Sequence, residues 1–307
     1  MSRKKMGRGI GKSSSRKKTG GAGPARFLKS VLAAALTSFG IATAWLHPQG
    51  LNWQSVEPWL QSLGLPGYTA QDHVPVPASV DGYVQTSFAH CPQFFPGARP
   101  VVPMAYTQRE LCFSSFAILH SGQTKTPVFV AQRLNRQHIQ AAKGIKRTDR
   151  FYAEARLPRA ERAELNDYRG SGYSRGHMAP AGDMASEQGM AQSFSLANMV
   201  PQNQIHNAGP WNKIEADTRQ YVSRAAGQVY VFTGPVFERN ARTIGANQVA
   251  VPSHLFKLVY DATTGRAWVH WQANQASTRA GPPISYPEFV RRTGLHLLPD
   301  LSLKGAE

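Results

Sequence analysis

The segment Tyr173-Ser174-Arg175-Gly176-His177-Met178-Ala179-Pro180 is followed by Ser195-Leu196-Ala197-Asn198-Met199-Val200-Pro201-Gln202-Asn203-Gln204-Ile205-His206-Asn207. Next comes Pro210-Trp211-Asn212-Lys213-Ile214-Glu215-Ala216-Asp217-Thr218-Arg219. Pro210 suits the first position of a helix, because its missing N–H has no intrahelical partner there anyway. Trp211, Ile214, Thr218, Tyr221, Val222 and Ala225 then recur at helical spacing and trace one apolar face. Gly227 is the expected terminator. On such a helix Glu215 and Arg219 stand at i, i+4 and project from neighbouring turns. Asn207, just before the expected start, falls on the same side.

Outward from this core the chain alternates strand signals with polar loops. Thr126-Pro127-Val128-Phe129-Val130-Ala131 reads as a strand. Gln228-Val229-Tyr230-Val231-Phe232-Thr233 is a stronger one and is expected to close at Gly234-Pro235. His254 to Tyr260 and Ala267 to Trp271 flank Asp261-Ala262-Thr263-Thr264-Gly265, a hairpin signal. Strands in succession with one clear helix predict an α+β class, with an antiparallel sheet as its core.

Hydrolysis of a phosphodiester needs a base to activate water, a cation to balance charge on the phosphate and leaving oxygen, and positive donors for the other oxygens. His177 carries an imidazole whose intrinsic pKa lies near neutrality. The Asn207 amide oxygen and the Glu215 carboxylate are hard donors that suit Mg²⁺, an ion that keeps several waters. Arg175 and Arg219 can grip phosphate bidentately. Taken singly, each has a bland reading: a core histidine, a helix cap, a solvated i, i+4 pair. Their order along one short stretch is the stronger signal.

These residues resemble those of the DNA/RNA non-specific endonucleases of the ββα-metal superfamily. The family's Asp-Arg-Gly-His motif is matched by Ser174-Arg175-Gly176-His177 except at its first position, and its second block by Asn198, Pro201, Gln202, Asn207, Trp211 and Glu215. Similarity to secreted bacterial members extends from about Cys91 to Pro299. The resemblance implies a ββα-metal motif on the antiparallel core, DNA and RNA as substrates, and 5′-phosphate products. It makes His177 the general base and Asn207 the one direct protein ligand of a Mg²⁺ ion (Mn²⁺ being another fitting ion). Glu215 would hold one of the ion's waters, Arg175 and Arg219 would neutralise phosphate, and Asn198 would orient the site. Arg133 and Arg136 compete for the place of a further upstream arginine. Ser174 in place of the family's Asp removes a carboxylate that orients Arg and raises the basicity of His. The competing readings are a non-catalytic nucleic-acid-binding relative active in DNA uptake, and a different phosphoesterase or a lipid-surface protein. The motif set has no evident reader of base edges, so binding is expected to be electrostatic and salt-sensitive.

The 307 residues carry a formal charge of +17, of which ten basic side chains and no acid fall in residues 1–29. That leaves +7 for the rest, so most of the charge belongs to a Gly/Ser-interleaved tail with no packed structure expected. With 41% hydrophobic and 17% charged residues a core is affordable, and wholesale disorder is excluded. Residues 30–46 are uncharged, apolar and preceded by the basic run. They read as a cleaved signal peptide or as a signal anchor at an inner membrane, and either exports the remainder to the periplasm or outside. Residues 47–87 read as a linker, 88–301 as the nuclease domain and 302–307 as a tail. Cys91 and Cys112 are the only cysteines, which excludes a four-thiolate zinc site; in an oxidising compartment they are expected to pair.

Overall fold

The computed structural model describes residues 82–299, 301 and 303. The basic tail 1–29, the apolar stretch 30–46, residues 47–81 of the expected linker and most of the 302–307 tail lie outside the described residues. Among the described residues no helix is long and apolar enough to cross a membrane.

The strands are β1 (Tyr83–Gln85), β2 (Val101–Pro103), β3 (Gln108–Cys112), β4 (Ala117–Ser121), β5 (Thr126–Leu134), β6 (Tyr173–His177), β7 (Met199–Asn203), β8 (Val229–Val236), β9 (Thr243–Ile244), β10 (Val249–Ala250), β11 (His254–Asp261) and β12 (Arg266–Ala273). The helices are α1 (Arg136–Ala142), α2 (Leu165–Tyr168), α3 (Glu187–Ser193), α4 (Gln204–His206), α5 (Asn212–Arg224) and α6 (Tyr286–Thr293). Six strands form one sheet in the order β12-β11-β8-β5-β4-β3, with every neighbouring pair antiparallel. The α+β architecture with an antiparallel core is as the sequence predicts. β1 pairs with β2, so residues inside the expected linker already contribute to the fold.

Alternation along the strands sends side chains to two faces. Phe129, Ala131, Phe232, Phe256 and Leu258 share one apolar cluster with Phe289 of α6. Val130 and Leu255 pack on the other face, in a cluster with Trp211, Ile214 and Phe194. Val222 of α5 meets Val229, Val231 and Val259. The stripe Trp211, Ile214, Thr218 and Val222 is buried, so α5 lies on the sheet along the face its spacing predicts. Burial of Ile214 and Val222 contributes about 1.5–3 kcal/mol each.

Three boundaries differ from expectation. β8 does not close at Gly234-Pro235 but runs on to Val236. β5 pairs with β8 only from Val229 to Thr233, so beyond Thr233 the β5 side of β8 has no ladder partner and Pro235 forfeits no bond there. The helical run also starts earlier, at Gln204, and Pro210 lies inside a π-helical turn, Asn207–Trp211, rather than at a first position. A wide turn tolerates the missing N–H and the ring more easily than an α turn does. At the far end α5 stops at Arg224 with an extended Ala225, before Gly227 is reached. Gly227 instead passes so close to Thr263 that a Cβ would strike its hydroxyl.

The expected disulfide joins Cys91 to Cys112, which are 21 positions apart in sequence, with Cα atoms 5.8 Å apart. It ties the segment before β2 to the edge strand β3. Replacing both cysteines by alanine should lower unfolding free energy by about 3 kcal/mol, read from urea midpoints at unchanged slope. A midpoint that does not move would mean that neighbouring packing already closes this loop.

Candidate active site

β6 and β7 form a two-stranded antiparallel ribbon in which His177 faces Met199 and Arg175 faces Pro201. Gly176 sits where a Cβ would run into the side chain of Gln202, so the motif's glycine is a packing requirement. The chain then leads from β7 through α4 and the π turn into α5. This ββα unit is the motif expected from the sequence.

Four of the expected residues, His177, Asn207, Glu215 and Arg219, line one cavity of about 310 Å³, together with Arg147 and Asn212. His177 lies between two aromatic rings, Phe194 edge-on at 5.0 Å and Phe151 at 5.8 Å. Its Nε2 is buried and has no hydrogen-bond partner. Burial, assisted by the charges of Arg147 and Arg175 against that of Asp149, pushes the ring's pKa down to about 3. The imidazole is therefore neutral through the physiological range. Glu215 is shifted the opposite way, to about 7. Burial dominates; Lys257 opposes it, Asp183 adds to it, and Arg219 and the Trp211 indole oppose it more weakly.

Arg219 donates from Nη1 to Asp183 Oδ1 at 3.1 Å, and its guanidinium lies against Gly182. Gln132 Nε2 reaches the other Asp183 oxygen at 3.4 Å. Beneath them Lys257 is buried, bonded through Nζ to Thr233 Oγ1 at 2.8 Å and 5.6 Å from the Trp211 ring centroid. Asn198 is fully buried and does not line the cavity. Its Oδ1 accepts from Ala179 N at 2.8 Å, and its Nδ2 donates to Ala179 O and Ser193 O, both at 2.9 Å. Asn198 thus clamps the chain just after His177.

Arg175 is not in this cavity. It lines a neighbouring one, with its guanidinium 4.0 Å from the Phe151 ring centroid. Neither candidate for the upstream arginine lines either cavity. Arg133 is exposed on β5, and alternation turns it away from Gln132 and the α5 face. Arg136 bonds Arg224 O at the far end of α5. The arginine that enters is Arg147, from the run Lys146-Arg147-Thr148-Asp149-Arg150. Sequence reading also passed over Asp183, Asp149 and Lys257. A lone lysine in the apolar run His254 to Tyr260 was the visible sign of the last. Ser174 lines the same cavity as Asp149, whose field raises the basicity of His177 in the sense ascribed to the missing Asp.

Among the described residues no three His, Cys, Asp or Glu side chains converge on a point that could hold a metal. The donor set is wrong for a closed zinc site. One amide oxygen and one half-buried carboxylate whose pKa is raised fit a hard divalent ion that retains most of its water.

A family model described as DNA/RNA non-specific endonuclease matches residues 96–295. The chain is 38% identical to "Nuclease EXOG, mitochondrial" of Danio rerio over 154 residues, 46% of this chain and 44% of the relative. It is 33% identical to "Endonuclease G, mitochondrial" of Homo sapiens over 164 residues, 50% of this chain and 54% of the relative. The match therefore spans about half the length of these relatives. A solved structure titled "Crystal structure of the EndoG/EndoGI complex: Mechanism of EndoG inhibition" superposes with a TM-score of 0.57 at 26% identity, covering 68% of this chain and 90% of that one.

Proposed function

The chain belongs to the DNA/RNA non-specific endonuclease family, and from that premise we propose that it hydrolyses phosphodiester bonds of DNA and RNA with a divalent cation, Mg²⁺ foremost, leaving 5′-phosphate ends. The observation that carries this reading is the meeting of His177, Asn207, Glu215 and Arg219 on one cavity. His177 is the general base: its ring is neutral, and its buried Nε2 has no other partner. A phosphodiester anion beside Arg147 and Arg175 offsets the two charges that help to depress the ring's pKa, so substrate binding itself makes the base stronger. Asn207 and Glu215 would hold the ion, which when bound supplies positive charge for the phosphate and the leaving oxygen. Arg219, anchored on Asp183, holds a phosphate oxygen. Asn198 orients the strand end that carries His177, without touching substrate.

Export of the folded part, by a signal peptide or an anchor at residues 30–46, belongs to the same proposal. The Cys91–Cys112 disulfide supports it, since such bonds persist in oxidising compartments.

The test is degradation of plasmid DNA and of RNA by the full chain made under oxidising conditions. Both polymers should be cut with Mg²⁺ and neither with excess EDTA, and end-labelling should find 5′-phosphates. Binding without cleavage in Mg²⁺ would sink the enzyme reading and favour the non-catalytic relative.

A further inference from the structure

The catalytic cavity is the first of three that share walls. At Arg147 and Asn207 it meets a larger one of about 880 Å³. At Arg169 and Tyr173 the larger one meets a third, of about 330 Å³, which adds Arg242. The large cavity is walled by Arg147, Arg150, Arg169 and Arg175 against one acid, Asp149. That acid is already paired with Arg147, Nε to Oδ1 at 2.7 Å. Arg150 and Arg169 are exposed and have no ion pair among the described residues. Tyr168, 6% exposed, lines the same cavity, and its hydroxyl is buried without a hydrogen-bond partner. A buried unpaired hydroxyl is unfavourable, and a ligand oxygen would give it a partner.

Arg169 is held on the ridge between the two outer cavities by a turn. Ser171 bonds Tyr168 O through both N at 3.3 Å and Oγ at 2.9 Å, and Tyr173 N bonds Ser171 Oγ at 3.2 Å. Gly170 and Gly172 have φ of +68° and +81°, so this turn needs glycine at both places. The guanidiniums are positive and the phenol offers an O–H, so each can donate to a phosphate oxygen, the guanidiniums with charge assistance.

We propose that the three cavities form one groove that holds the backbone phosphates of the nucleic-acid strand flanking the scissile bond on the Asn207 side. Arg150, Arg169 and the Tyr168 hydroxyl take the first flanking phosphates, and Arg242 takes one farther out. The assignment rests on the nuclease reading for its ligand, and it adds the residues and the direction in which the strand leaves the site.

Binding of a fluorescent 12-nucleotide single strand to the full chain in EDTA, across a salt series, tests it. Arg169→Gln should raise Kd about tenfold and flatten the slope of log K against log salt by about 0.7. Arg150→Gln should do the same. Tyr168→Phe should weaken binding about threefold with the slope unchanged, because the lost donor is uncharged. Arg266→Gln, which removes a charge from the distant β11–β12 hairpin, should change neither. Melting curves of each variant establish that the fold is retained. Wild-type affinity and slope in Arg169→Gln and Arg150→Gln would overturn the groove, as would a flattening for Arg266→Gln equal to theirs. If wild type binds in EDTA but never cleaves in Mg²⁺, the nuclease reading fails while the groove is still decided by these slopes.

Discussion

His177→Ala is expected to reduce Mg²⁺-dependent cleavage of both DNA and RNA by about 10³-fold, the usual worth of a positioned general base. The melting temperature should move by only a few degrees. Two opposing terms keep the stability change small. The ring gives up an edge contact with Phe194 at 5.0 Å and a tilted one with Phe151 at 5.8 Å. Against that, the substitution removes a buried nitrogen that has no partner, a liability in the folded state. Catalysis has no such offset, since no other neutral imidazole lines the cavity. Single-turnover cleavage beside differential scanning calorimetry makes the measurement. Cleavage that survives the substitution would remove His177 from the role of base.

Asn198→Ala should behave in the opposite way and lose stability and activity together. Its amide makes three hydrogen bonds within a fully buried site, to Ala179 N, Ala179 O and Ser193 O. Alanine leaves all three backbone groups unpaired where water does not reach, at a cost of about 1–3 kcal/mol for each. Partial relaxation brings the total to roughly 3–5 kcal/mol. For a domain of this size that corresponds to a fall in melting temperature on the order of 10 °C. Activity should drop because Ala179 follows His177 by two residues and Met178 N bonds Asn198 O at 3.0 Å, so the clamp fixes the end of β6. A variant that melts like wild type yet cuts nothing would mean that Asn198 touches substrate instead.

The contrast between these two residues shows how far the sequence could be read. Both stand in motifs that the chain displays openly, and the family resemblance already implies a base at His177 and an orienting role for Asn198, but residue types and spacing alone do not say how Asn198 orients anything. That follows from burial and bonding partners. Arg175 illustrates the same limit. It sits two positions before His177, on the same side of β6, yet lines the adjoining cavity stacked on Phe151. Arg147 arrives from a loop thirty residues upstream and takes a place in the catalytic cavity for which Arg133 and Arg136 had been the candidates.

What the sequence determined by itself is the set of relations that span a few residues. The β11–β12 hairpin at Asp261 to Gly265, the buried stripe of α5 and the joint projection of Glu215 and Arg219 all follow from periods of 2 and 3.6 residues and from turn chemistry. The pairing of Cys91 with Cys112 follows from there being no other cysteine. The tertiary structure decided which face of β5 looks toward α5, and hence that Gln132 reaches Asp183 while Arg133 does not. It also decided that Lys257 is buried under Trp211 and that Tyr168 stands unpartnered among arginines. These are relations between segments tens of residues apart. Strand order and register set them, through burial of whole faces at once, and no local period carries that information.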